Sequence, residues 1–411
     1  MEGEKTTEKP LHLVKSNKKY IDGKTMTLFF TMTLLYTILY NSEWGLRPVV
    51  SYFAAIAVLG VLLLCKKRIM LSTYSIWAVL FAGYCVLSSL WAMNANAASE
   101  NLRLVVFLLA CHALMSLLVK NRATMRYAIL ANYIALIITA FYILFNVDLS
   151  MVGEERIGSS IMEGAWNAND IGLKMCVGFT ISLYFFKDSN VRWKKWMYMI
   201  FGVLFAGIAL FTGSRKALLM VLGTLVIYIL LLSGKSKWKA IFIALLTVVA
   251  ILVFVMNSSA LYNVLGSRFQ AMFDSLSGKG EEQSFELRQE MGSLGFDWFL
   301  QRPLFGYGMN NFSILYFKET GIVTYAHNNF IETLINGGLV GFALYYFIYI
   351  YALVKLGRPA LKERKPMAVL LFTLLSLTLV MQFAVVSYYD TLFNCLLMLA
   401  ANYAQYEDII E

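Results

Sequence analysis

Apolar runs of similar length recur along the whole chain, at residues 25–41, 48–65, 70–92, 104–119, 127–146, 170–186, 197–212, 217–234, 240–256, 334–354, 367–387 and 391–405. A helix of about 20 apolar residues crosses the hydrocarbon layer of a bilayer, where a chain must satisfy its own backbone hydrogen bonds. The pattern therefore predicts an all-α integral membrane protein with about twelve transmembrane helices in one bundle. Between the ninth and tenth runs the rhythm breaks. Residues 257–327 form a polar connection far longer than an ordinary loop, and such connections are usually functional or disordered. This one carries Leu287, Met291, Leu294 and Trp298 at helical spacing, then a turn-rich Pro303-Leu-Phe-Gly-Tyr-Gly308 stretch. The expected organisation is a tail over 1–24, helices 1–9 over 25–256, a large loop with short helices over 257–327, helices 10–12 over 328–405, and a second tail over 406–411.

Composition agrees with a membrane protein. Of 411 residues, 59% are hydrophobic and 15% charged, against roughly 45–50% and about 25% in soluble domains. A soluble enzyme is excluded. The net charge of +10 would raise nucleic acid as a partner if the cations were clustered, but they alternate with the apolar runs. Of the 35 Lys and Arg, 24 fall in 1–24, 66–68, 120–126, 187–195, 235–239 and 355–365. Positive charge is enriched in cytoplasmic loops, so both tails are expected in the cytoplasm and the 257–327 loop outside. The first 24 residues are Lys-rich and precede an apolar run without a small-residue cleavage site, so the first helix is expected to stay as an anchor. The five cysteines lie in or beside apolar runs with no metal-ligand spacing, which implies neither a disulfide nor a metal site. No phosphate-cradling G-x-x-x-x-G-K-[ST] loop is present, which argues against nucleotide-driven work.

The outward-facing polar residues are the candidates for chemistry. Arg215 and Lys216 lie in a short outer turn; a guanidinium there suits a diphosphate, or equally snorkels to headgroups. Arg288 sits on the amphipathic helix of the long loop, as an anion ligand or as part of a solvated face. His327, followed by Asn328, Asn329 and Glu332, is placed where the loop re-enters the membrane, and an imidazole there could take a proton from a hydroxyl. His112 reads instead as a satisfied bundle residue. Asn167 and Asn169 could bind sugar hydroxyls, while Asp170 and Lys174 read most simply as a helical ion pair. Tyr388 and Tyr389 fit an interfacial aromatic belt, with Asp390 beside them as a candidate ligand.

Taken in order, these segments resemble a known family. His327-Asn-Asn-Phe-Ile-Glu-Thr-Leu-Ile-Asn-Gly-Gly338-Leu-Val-Gly341 is similar to the His-Asn…Gly-x-x-Gly motif of the O-antigen ligase and O-antigen polymerase superfamily. Arg288 followed by Pro303-Leu-Phe-Gly306-Tyr-Gly308-Met-Asn-Asn-Phe312 resembles its Arg…P-L-x-G-x-G-x-x-x-F segment, Gly213-Ser-Arg215 its G-S-R turn, and Trp166-Asn-Ala-Asn169 its N-x-N entry to a middle span. The resemblance covers roughly 166–345. It implies a GT-C-like bundle and a metal-independent, cofactor-free, inverting glycosyltransferase in the bacterial cytoplasmic (inner) membrane, with its active site outside. The donor would be an undecaprenyl-diphosphate-linked glycan and the acceptor a glycan or glycolipid, with membrane lipid, a flippase and a chain-length regulator as further partners. Arg215 and Arg288 would hold the diphosphate, assisted by Lys216. His327 would activate the acceptor hydroxyl. Asn167, Asn169, Asn328, Glu332 and Asp390 would contact substrate, and Gly338 and Gly341 would be the motif glycines. The competing reading is a transporter or flippase of lipid-linked glycans. Such folds place their polar groups near the bilayer midplane. A metal-dependent lipid-linked transferase is disfavoured because the first outer loop, Asn41 to Arg47, offers only Glu43.

Overall fold

The computed structural model describes residues 22–41, 46–66, 69–158, 167–232, 237–277 and 283–410; most of the N-terminal tail, Glu43 and Trp166 lie outside the described residues. Within them the regular elements are helical. They are α1 (Gly23–Tyr40), α2 (Pro48–Leu64), α3 (Thr73–Ser88), α4 (Ala95–Leu118), α5 (Arg122–Asn146), α6 (Ala168–Asp188), α7 (Arg192–Phe211), α8 (Arg215–Leu232) and α9 (Lys237–Asn257). There follow α10 (Ser259–Leu261), α11 (Ser267–Leu276), α12 (Gln283–Gln301), α13 (Phe312–Thr320), α14 (Asn329–Leu361), α15 (Pro366–Met381) and α16 (Thr391–Ile410). Each predicted apolar run falls on one helix, α1–α9 or α14–α16. Among the described residues, five helices are long and apolar enough to cross a membrane: Ala95–Leu118, Arg122–Asn146, Arg192–Phe211, Trp238–Asn257 and Asn329–Leu361. Boundaries move where caps decide them. The Ser72–Ser75 capping box starts α3 later than hydropathy suggests, and Asn94 starts α4 well before its apolar run.

The bundle is built around α16, whose residues Leu392–Tyr403 are all buried and which packs against α3, α4, α5, α14 and α15. A helix buried on every side is expected to be apolar all round. On the outer surface, side chains such as Val79, Leu90, Phe145 and Phe254 are more than half exposed, as lipid-facing positions allow. His112 is fully buried, with Nδ1 2.9 Å from the Leu108 carbonyl. All five cysteines are free.

The described part of the long loop is folded. Met291, Trp298, Phe312, Leu315, Tyr316 and Ile335 form their own small core between α12, α13 and α14. Leu287, expected on the same face, is 38% exposed and lies outside this core. Tyr388 also departs from expectation. It is 1% exposed rather than interfacial, with its ring edge-on to Tyr389, because the turn that carries it is drawn inward by Asn329.

Helix α14 is broken at Gly338 (φ 59°, ψ −166°), and the 303–308 segment occupies the break. The Tyr307 and Gly308 amides donate to the Ile335 and Asn336 carbonyls (2.9 Å each), while the Leu339 and Val340 amides donate to the Pro303 and Leu304 carbonyls (2.8 and 3.1 Å). Backbone groups freed by the break are thus re-paired, as a low-dielectric setting requires. A Cβ on Gly306 or Gly338 would strike the opposing backbone, and one on Gly341 would strike the Tyr84 ring. These glycines allow two chains to approach.

Candidate functional site

A cavity of about 340 Å³ opens where five chain segments converge. Its lining includes Asn167, Asn169 and Asp170 at the start of α6, Lys216 at the start of α8, Arg288 on α12, Tyr325 and His327 before α14, and Tyr389 and Asp390 before α16. Leu173, Val385, Val386, Leu392 and Phe393 give it apolar walls. Six of the residues singled out in the sequence, Asn167, Asn169, Lys216, Arg288, His327 and Asp390, are therefore neighbours although the chain separates them by up to 223 positions. Arg215, Asn328, Glu332, Gly338 and Gly341 do not line it.

The cationic side is set by the turn before α8. Gly213 (φ 60°) leaves no room for a Cβ beside the Val264 carbonyl. Arg156 Nε donates to the Thr212 carbonyl (2.8 Å) and Arg268 to that of Gly213 (3.4 Å), while Ser214 Oγ donates to Asn169 Oδ1 (2.9 Å). Burial and the charges of Arg268 and Arg215 lower Arg156 to about 10. Lys216 Nζ donates to the Ala384 carbonyl and lies within electrostatic reach of Arg288 and Arg215. Cations in the first turn of α8 sit at the positive end of the helix dipole, the end that favours anions. That arrangement suits a bound anion, which the helix amides and the side chains would hold together.

His327 has φ 52°, a left-handed conformation that costs a non-glycine residue about 1–3 kcal/mol. Its neighbours impose it. The Ala326 amide donates to Glu332 Oε2 (2.8 Å), and Asn328 caps α14 by accepting from the Phe330 and Ile331 amides (2.9 and 3.2 Å). Glu332 is 2% exposed and accepts from Asn336 Nδ2 (3.0 Å), whose Oδ1 accepts from the Asn311 and Phe312 amides. Glu332 therefore holds the backbone ahead of His327. Burial, then Arg288, then Lys216 push the imidazole down to about 4, so at neutral pH it is uncharged and able to accept a proton.

The remaining side is acidic. Asp170 pairs with Lys174 at 2.6 Å, the expected i,i+4 ion pair. Asp390 caps α16 through the Phe393 amide (3.0 Å), and burial together with the Asp170 carboxylate raises it to about 6. Asn167 and Asn169 each spend a carbonyl oxygen locally, Asn167 on the Asn169 amide and Asn169 on Ser214.

Sequence reasoning missed Asn336 and Tyr325, gave Asn329 no role, and read Tyr389 as an interfacial aromatic although it lines the cavity. Asn329 is fully buried and joins α14 to the turn before α16. It donates to Tyr346 and Gln382 and accepts from the Ser387 and Tyr388 amides. Its place in the His-Asn-Asn run, and the i,i+4 spacing of Asn336 from Glu332, were the available signals. Nothing local marked Tyr325.

Residues 200–346 match a family model described as O-antigen ligase. The matched segment contains Arg215, Lys216, Arg288, His327, Asn328, Glu332, Gly338 and Gly341, while Asn167, Asn169 and Asp390 lie outside it. No curated protein matches the chain. The match spans just over a third of the chain, and over that segment the chain is similar to the O-antigen ligase family.

Proposed function

We propose, taking the O-antigen ligase match as premise, that the protein transfers a glycan from an undecaprenyl-diphosphate carrier to an acceptor glycan on the outer face of the cytoplasmic membrane. It would act as polymerase of a capsular, exo- or O-antigen polysaccharide, or as O-antigen ligase. The observation that carries this reading is the meeting of Lys216, Arg288 and an uncharged His327 in one cavity. Arg288 and Lys216, with Arg215 behind them, would hold the diphosphate and stabilise the charge that develops as it leaves. His327 would take the proton of the acceptor hydroxyl as its oxygen bonds to the anomeric carbon. The bond from that carbon to the phosphate oxygen breaks on the opposite side, its electron pair leaves with the diphosphate, and configuration inverts. Asn167, Asn169 and Asp390 would contact the sugars, and Asn328 and Glu332 would set the His327 backbone. A transporter would need such groups near the midplane, whereas the distribution of Lys and Arg along the chain favours the outer face for these segments.

The test uses the purified protein with lipid-linked substrate. His327→Ala is expected to lose turnover by about 10²–10⁴-fold, the usual contribution of a general base, while still binding donor. Arg288→Lys is expected not to rescue, since an ammonium lacks the planar fork. Near wild-type turnover by His327→Ala would make the residue structural. In a strain lacking the gene, accumulation of single lipid-linked repeats marks a polymerase, and accumulation of finished polymer on the carrier marks a ligase.

A further inference from the structure

The cavity is electrically divided, and the division separates two subsites. His327 feels the charges of Arg288 and Lys216, whereas Asp390 feels those of Asp170 and Lys174. Two aromatic rings line the same cavity. Tyr325 packs on His327 with ring centroids 4.0 Å apart at 44° and is 39% exposed. Tyr389 lies within electrostatic reach of both Tyr325 and Asp390 and is buttressed by Tyr388 at 4.8 Å, nearly perpendicular. A diphosphate brought to the carboxylate side would meet like charge, so it is confined to the cationic side. The group that must reach His327 from the other side is a neutral, hydroxyl-rich sugar. A pyranose presents a face of weakly positive C–H groups, which suits the negative face of an aromatic ring, and its rim of hydroxyls suits nearby carboxylates and amides.

We infer that Tyr325 and Tyr389 form the platform for the acceptor sugar, holding its ring beside His327 while the cations hold the donor. The inference rests on the transferase reading and adds the location of the second substrate. Tyr325 bears on the sugar and on His327 at once, so loss of the ring and loss of the hydroxyl have different consequences.

The experiment measures KM separately for donor and acceptor in Tyr325→Leu, Tyr389→Leu and the corresponding Phe variants. Each Leu variant is expected to raise acceptor KM about tenfold, the scale of one aromatic contact, and to leave donor KM within twofold; the Phe variants should stay near wild type. Unchanged acceptor KM, or an equal rise for donor and acceptor, overturns the platform. A fall in kcat alone, with acceptor KM unchanged, makes Tyr325 only a support for His327 and likewise overturns it. A binding measurement separates this failure from failure of the transferase reading. Saturation-transfer NMR of the free repeat-unit oligosaccharide, released from the producing strain's polymer, is run on the full-length His327→Ala protein. Signal lost on adding Tyr325→Leu supports the platform even without turnover, and signal retained rejects it.

Discussion

The segment from Tyr325 to Gly341 contains two regions that look continuous in sequence and behave as opposites in the structure. Its first half, Tyr325 to Glu332, is bent and turns Tyr325 and His327 into the cavity, with His327 held at a positive φ by the Ala326–Glu332 bond and the Asn328 cap. Its second half, Asn336 to Gly341, faces no ligand. It is interrupted at Gly338 and sealed against the 303–308 backbone by four amide–carbonyl bonds. The first half stores strain where chemistry would use it; the second spends its unusual residues on letting two backbones touch. Asn336 and Glu332, one turn apart in α14, join the two.

The sharpest way to break this comparison is to substitute each half's positive-φ residue. Gly338→Ala forces a Cβ into the Leu304 backbone and strains a left-handed position, for an expected loss of about 2–6 kcal/mol from strain and overpacking together. His327→Gly relieves strain and should leave Tm at or above wild type while removing turnover. Gly341→Ala meets only the Tyr84 ring, so its cost should be smaller than that of Gly338→Ala. Thermal unfolding in detergent reads all three. A Gly338→Ala protein as stable as wild type would show that the break in α14 is not needed for folding.

The same contrast shows how far the sequence can be read. Helix positions were legible because lipid leaves no alternative for long apolar runs, and alternating charge marked their ends. Arg288 and His327 could be singled out because a cation or imidazole beside an apolar run has few structural uses. Asn328 and Glu332 were read as substrate contacts, but the distinction between a ligand and a clamp lies in backbone geometry: both side chains are occupied by local amides. Tyr325 was illegible, and Tyr389 legible only as an interfacial aromatic, because 24 tyrosines are scattered through the chain and only convergence of the α12, α14 and α16 ends selects two of them. The role of Gly306 and Gly338 depends on a contact between residues 32 apart in sequence, which neither segment reveals alone.

A pH profile sharpens the first half of the comparison. The profile of kcat/KM reports the free enzyme, in which burial, Arg288 and Lys216 hold His327 at about 4. The base is active when uncharged, so activity is lost as pH falls through that value. At pH 5.5 a base of pKa about 4 retains nearly all its activity, whereas a solvated imidazole near 6.5 retains about a tenth. The expected titration of the His327 ring, followed by NMR of the imidazole, therefore shows no protonation between pH 7.5 and 5.5. A midpoint near 6.5 would mean that His327 is solvated and that the cations do not bear on it.

The smallest effect concerns Asn328, which belongs to the first half by position and to the second by behaviour. Its side-chain oxygen is committed to the Phe330 and Ile331 amides, so its main contribution should be that of an N-cap. Asn328→Ala is expected to lower unfolding free energy by about 1 kcal/mol, and Asn328→Ser, which caps comparably, to restore most of it. Because the Ser variant keeps the start of α14 in place, its turnover should remain within about twofold of wild type, in line with a cap that acts only through backbone position. Turnover and thermal unfolding measured on the same preparations separate the two roles. If Asn328→Ser unfolded like wild type yet lost most of its activity, the amide nitrogen would be contacting substrate, and the polar half of the segment would extend one residue further into the site than its hydrogen bonds indicate.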